Sequence, residues 1–133
     1  MKLIIAGSRS ITDFNVVVKA FEISCAGSKA TEIVSGAAHG ADKLGEQLAR
    51  SLKLPIKRFP ADWIKHGKAA GPIRNREMSE YADALLALYD GVSRGTADMI
   101  QKMQDAGKPF YVHRLLLGAL FNDAWVRAFA WPK

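Results

Sequence analysis

Three glycine-containing turns carry the side chains best suited to chemistry: Ala6-Gly7-Ser8-Arg9-Ser10, Val34-Ser35-Gly36-Ala37-Ala38-His39-Gly40-Ala41-Asp42 and Asp90-Gly91-Val92-Ser93-Arg94-Gly95-Thr96. Ser8, Ser35, Ser93 and Thr96 can donate hydroxyl hydrogen bonds, and Arg9 and Arg94 can add forked, charge-assisted ones. Gly7, Gly36, Gly40, Gly91 and Gly95 allow close backbone approach or positive φ. This combination suits a phosphate, because a helix opening behind such a turn adds N–H donors and partial positive charge. Arg74 supplies a further guanidinium from the run Gly71-Pro72-Ile73-Arg74-Asn75-Arg76-Glu77-Met78.

The elements that position these residues alternate along the chain. Apolar runs at Leu3–Ala6, Glu32–Ser35, Ile56–Phe59, Ala84–Tyr89 and Phe110–His113 read as strands. Near-continuous apolar strands belong in a parallel sheet covered on both faces. Helices are expected over about Asp13–Cys25 with Asp13 as N-cap, Gly40–Leu52, Arg74–Tyr81 and Gly91–Ala106, with Gly107 ending the last. Pro60 to Pro72 reads as a long basic loop. The fold class is therefore α/β, a single Rossmann-like domain with about five parallel strands and helices on both faces. In such sheets ligands bind beyond the carboxyl ends of the strands, where all three glycine turns lie.

Composition agrees with one domain: 133 residues, 49% hydrophobic and 24% charged. No stretch approaches the roughly 18 apolar residues of a membrane span, so no membrane partner is expected. The single Cys25 cannot form an internal disulfide, and a cytoplasmic setting is expected. The net charge of +6 has a local origin. Lys57, Arg58, Lys65, Lys68, Arg74 and Arg76 cluster between the third and fourth strands, which favours an anionic partner.

Other residues leave alternatives open. Asp42 either caps the second helix or bonds a ribose hydroxyl. Asp90 faces either a ligand or the Arg94 guanidinium. Trp63 either stacks on a base or packs under the basic loop. His39, His66 and His113 show no metal-ligand spacing, so no metal and no cofactor is implied. The Gly7 turn is not GxGxxG and no Walker A sequence occurs, so a Mg²⁺-dependent NTPase is not indicated. Residues 114–133 are rich in large apolar side chains, among them Leu116, Trp125, Phe129 and Trp131. They are expected to form a helical extension, packed on the domain or at a homo-oligomer interface.

These turns, with Phe59-Pro60-Ala61-Asp62-Trp63 and the block Gly67 to Met78, resemble the YspA/YpsA-related branch of the SLOG superfamily over roughly residues 1–113. The resemblance implies a Rossmann-like domain that binds a nucleotide or a nucleotide-derived, ADP-ribose-like molecule, as a sensor or sequestering domain. Arg74, Ser93, Arg94, Gly95 and Thr96 would then hold phosphate, with Asn75, Asp90 and Gly91 as further ligand-binding residues. Gly7, Ser8 and Arg9 would line a second side, Gly36, Ala37 and Asp42 would approach the ribose, and Ser35 would count among the ligand-binding residues as a hydroxyl donor. More distant similarity to the LOG phosphoribohydrolases implies a hydrolase as the alternative. Arg74 and Gly95-Thr96 fit the LOG pattern, but Met99 stands where those enzymes carry glutamate, leaving Glu77 and Asp98 as weak catalytic candidates. Similarity to the DNA-processing protein DprA makes nucleic acid the least favoured partner.

Overall fold

The strands Leu3-Ile4-Ile5-Ala6 and Ala84-Leu85-Leu86-Ala87-Leu88 are apolar on both faces because both faces of the sheet are covered. The computed structural model describes residues 1–24 and 29–115, together with the backbone of 124–127. Its elements are β1 (Lys2–Gly7), α1 (Phe14–Ile23), β2 (Glu32–Ser35), α2 (Ala41–Ser51), β3 (Ile56–Arg58), α3 (Trp63–His66), a 3-10 turn (Gly67–Ala69), α4 (Ala70–Tyr81), β4 (Ala84–Tyr89), α5 (Arg94–Asp105), β5 (Phe110–Arg114) and β6 (Ala124–Arg127). The strand order is β3-β2-β1-β4-β5-β6. The first five strands are parallel, and β6 runs antiparallel to β5.

Alternate residues of each central strand feed two cores. Leu3, Ile5, Leu86 and Leu88 pack with Val17, Phe21 and Leu48 of α1 and α2. Ile4, Leu85 and Ala87 pack with Met78 of α4 and with Met99 and Met103 of α5. The chain winds outward from β1 to β3, then crosses back to place β4 beside β1. Strand order reverses there, and the crevice between the β1 and β4 carboxyl ends opens.

Local signals fix the helix ends. The Asp13 carboxylate accepts from Asn15 N–H at 2.9 Å and caps α1. Gly107 takes φ 69° after α5 and donates to the Gln104 carbonyl. The region 60–72 departs from the expected loop. Asp62 caps α3, the 3-10 turn follows, and α4 already begins at Ala70. Pro72 sits in the first turn of α4, where its missing N–H has no intrahelical role. No buried side chain marks α3, so that helix carries no apolar stripe to read.

The expected helical extension after 113 is corrected in one place: residues 124–127 are a strand, with Val126 paired to Val112 and Trp125 to His113. The short apolar run Ala124-Trp125-Val126 can serve a strand as well as a helix, and periodicity does not separate the two. Leu116, Phe129 and Trp131 lie outside the described residues, as does Cys25. Among the described residues no helix is long and apolar enough to cross a membrane.

Candidate functional site

A latch between two loops builds the crevice. The Ser8 N–H donates to the Leu88 carbonyl at 3.1 Å, and the Ser8 hydroxyl donates to Asp90 Oδ2 at 2.9 Å. Asp90 Oδ1 accepts from the N–H groups of Val92 and Ser93, each at 2.8 Å. Burial pushes the Asp90 carboxyl up, but these bonds outweigh it and hold the group below the usual carboxylate range. Asp90 therefore spends its oxygens on shaping the turn, and no hydrogen bond joins it to Arg94.

The turn delivers the N-terminus of α5 to the crevice. Ser93 caps the helix, its Oγ accepting from Thr96 N–H at 3.4 Å and lying 3.0 Å from Thr96 Oγ1. The first helical bond joins Ala97 N–H to the Ser93 carbonyl. The N–H groups of Arg94 and Gly95 have no protein acceptor among the described residues, as expected for the first turn of a helix. The Arg94 side chain is exposed beside them.

The opposite wall comes from α2 and α4. Arg74 Nη1 donates to the carbonyls of Gly36 and Phe59, and its Nε donates to Asn75 Oδ1 at 2.9 Å. Burial lowers the Arg74 pKa from its usual value, while Asp42 and Asp98 act to raise it. Asn75 Nδ2 then reaches the Gly95 carbonyl at 3.2 Å and Asp98 Oδ2 at 2.9 Å, which ties α4 to the first turn of α5. The other Asp98 oxygen pairs with Lys102 at 2.5 Å.

Asp42 sits in the first turn of α2 and is 5% exposed. Its Oδ2 accepts from Ala38 N–H at 3.2 Å. Burial is the main cause that raises its pKa from 3.8 to about 6, with Arg74 and Arg9 opposing. A buried carboxyl with a raised pKa in a cleft is a mark of a functional site. Ala37 holds φ 59° beside it, a left-handed conformation that costs energy in a non-glycine residue.

These walls enclose a cleft of about 760 Å³. That size fits a small organic ligand. The sequence-expected residues Gly7, Ser8, Arg9, Asp42, Arg74 and Asn75 line it, as do Asp90, Ser93, Arg94, Gly95 and Thr96. Ser35, Gly36, Ala37 and Gly91 are not in the lining. The Ser35 hydroxyl instead donates to Glu46 Oε2 at 2.7 Å and accepts from Ala37 N–H at 3.0 Å, so it shapes the turn. Of the basic cluster only Lys68 and Arg74 reach the cleft, while Arg58 pairs with Glu46 at 2.9 Å. Asp98 lines the cleft; Glu77 is exposed outside it. Met99, at the position of the LOG glutamate, is buried and lines the cleft.

Trp63 lines the rim half-exposed, close enough to Gly71 that a methyl there would meet the indole at 3.3 Å. Sequence reasoning missed Glu46, the buried acid one helical turn beyond Asp42. It is 1% exposed, and bonds from Ser35 and Arg58 hold its pKa below the usual value against the effect of burial. A charged residue four beyond Asp42 and three before the apolar Ala49, on one helical face, was the available signal. Among the described residues no group of three or more His, Cys, Asp or Glu side chains could hold a metal ion.

Comparison with known proteins agrees with this architecture. The chain is 37% identical over 83 residues to the Gene 61 protein of Mycobacterium phage D29, an alignment covering 58% of this chain and 66% of that protein. The model of the YspA, cpYpsA-related SLOG family matches residues 1–66, which hold β1 to α3, the Gly7 turn and the Gly36 turn. By that match the chain belongs to the YspA, cpYpsA-related SLOG family.

Proposed function

We propose that the cleft binds a phosphate-bearing, nucleotide-type small molecule, a nucleotide or an ADP-ribose-like compound, and that the domain acts by binding it. One observation carries the reading. The unused N–H groups of Arg94 and Gly95, the Arg94 side chain and the Arg9 side chain converge on one cleft at the reversal of strand order. A phosphate accepts hydrogen bonds from all of them and gains from the positive end of α5. SLOG membership supports a nucleotide-related ligand at the same coarse level. Trp63 offers a half-exposed ring on the rim against which a base can stack.

Titration calorimetry with AMP, ADP-ribose and adenosine tests this. The phosphorylated compounds should bind and adenosine should not, and Arg94→Ala should weaken AMP by about 1–3 kcal/mol. Equal affinity for AMP and adenosine would contradict the reading.

A LOG-like hydrolase has less support. Met99 cannot do acid–base work, Asp98 is tied to Asn75 and Lys102, and Glu77 lies outside the cleft. Nucleic acid has less support still, because most of the basic cluster lies away from the cleft.

A further inference from the structure

The cleft has two chemically opposite ends. At the α5 end two backbone N–H groups and the Arg94 cation donate, while the oxygens of Asp90 and Asp98 there are already paired within the protein. At the α2 end stands a carboxylate. Asp42 is more than nine-tenths buried, yet it lines the cleft. Its Oδ2 is used by Ala38 N–H, while Oδ1 has no protein donor among the described residues. No Lys or Arg nitrogen among them pairs with it. The nearby Arg74 turns Nη1 to the Gly36 and Phe59 carbonyls and Nε to Asn75, and makes no hydrogen bond to Asp42. Gly36 lets the carboxylate stand where it does, because a methyl there would lie 2.7 Å from Asp42 Oδ2.

An acceptor that faces the cleft with no donor from within the protein takes one from water or from a ligand, and a ligand that displaces the water must replace that donor. An anion cannot, since it would meet like charge. A hydroxyl can, and a vicinal diol can place one on the free oxygen while its phosphate occupies the donor end. Building on the nucleotide reading above, we propose that Asp42 is a specificity-determining residue that accepts a hydrogen bond from a ribose hydroxyl, so that the cleft selects ribosyl over deoxyribosyl phosphates.

The consequence is a preference that follows the hydroxyl and not the phosphate. A site whose buried acceptor is left unpaired rejects the analogue lacking the donor. Calorimetry on the full chain with AMP, 2′-deoxy-AMP and 3′-deoxy-AMP should show at least one deoxy form binding roughly 10- to 100-fold more weakly than AMP. In Asp42→Asn that ratio should fall toward one. Arg94→Ala should weaken all three compounds alike and leave the ratio unchanged. Equal binding of all three by the unmodified protein would overturn the role of Asp42 while leaving the phosphate reading intact, and needs no variant to fold. A ratio that survives in Asp42→Asn would assign the selection to another group and overturn it too. Binding of none of the three would remove the nucleotide reading and this inference with it.

Discussion

Arg74 and Asp42 face each other across the α-carbon of Gly36: a methyl group on Gly36 would lie 2.5 Å from Arg74 Nη1 and 2.7 Å from Asp42 Oδ2. A cation from α4 and an acid from α2 thus approach one backbone turn, and only a residue without a side chain lets both stand where they do.

Gly36→Ala should therefore disturb the site more than the fold. The Arg74 guanidinium can shift, but it then loses its bonds to Gly36, Phe59 and Asn75. Overpacking of this kind costs about 1–3 kcal/mol. The expected result is a lowered thermal midpoint together with at least tenfold weaker AMP binding. Unchanged affinity would mean that the position of Arg74 does not matter to the ligand.

Asp42 sets a pH dependence with a definite sign. Its pKa in the folded protein is raised from 3.8 to about 6. The folded state thus holds its proton more tightly than the unfolded chain. The stability this contributes is fully present below about pH 4 and is lost as pH rises through 6, amounting to at most about 3 kcal/mol. Asp42→Asn, which carries no charge to bury, should be more stable than the unmodified protein at pH 7.5. That advantage should shrink toward pH 4. Asp90 and Glu46, whose pKa values are lowered, work in the opposite direction but cancel when the two proteins are compared at each pH. A difference independent of pH would contradict the assignment.

Ser35 separates turn-building from ligand contact. Its hydroxyl satisfies the buried Glu46 carboxylate. Ser35→Ala should cost about 1–3 kcal/mol of stability, measured by denaturant unfolding. Affinity for AMP should stay within twofold, in contrast to Arg94→Ala. A large loss of affinity with no loss of stability would return Ser35 to the ligand set.

Much of the sheet was legible because each strand is a short apolar run ended by a turn signal. β2 and β4 match their expected bounds, and β1, β3 and β5 match within a residue at each end. Asp13 and Gly107 were readable for the same reason: capping chemistry is local. The early start of α4 was not, because Pro72 reads as a breaker until its place in the first turn is known. β6 pairs with β5 across the chain, and such pairing leaves no local mark. In the site, the glycine turns showed which loops would meet. They did not show which polar groups would be consumed on the way. Asp90 and Ser35 turned inward to N–H groups and to Glu46, whereas Asp42 kept a free oxygen toward the cleft.

Catalysis of LOG type should be absent. With Met99 buried in the cleft and Asp98 tied to Lys102, no glutamate stands ready to assist cleavage of an N-glycosidic bond. Nucleoside monophosphates incubated with the protein should release no free base above the rate without protein, read by chromatography. Release that disappears in Asp98→Asn would make the protein a hydrolase.

The central claim, a phosphate-binding cleft at the carboxyl ends of β1 and β4, is tested most directly by amide proton–nitrogen correlation spectra during titration with AMP and ADP-ribose. The account predicts saturable shifts concentrated in the amides of Gly7–Ser10 and Ser93–Thr96, largest at Arg94 and Gly95, and saturating only at higher concentration in Arg94→Ala. No saturable shift with either compound at millimolar concentration, or shifts gathered away from these two turns, would contradict it.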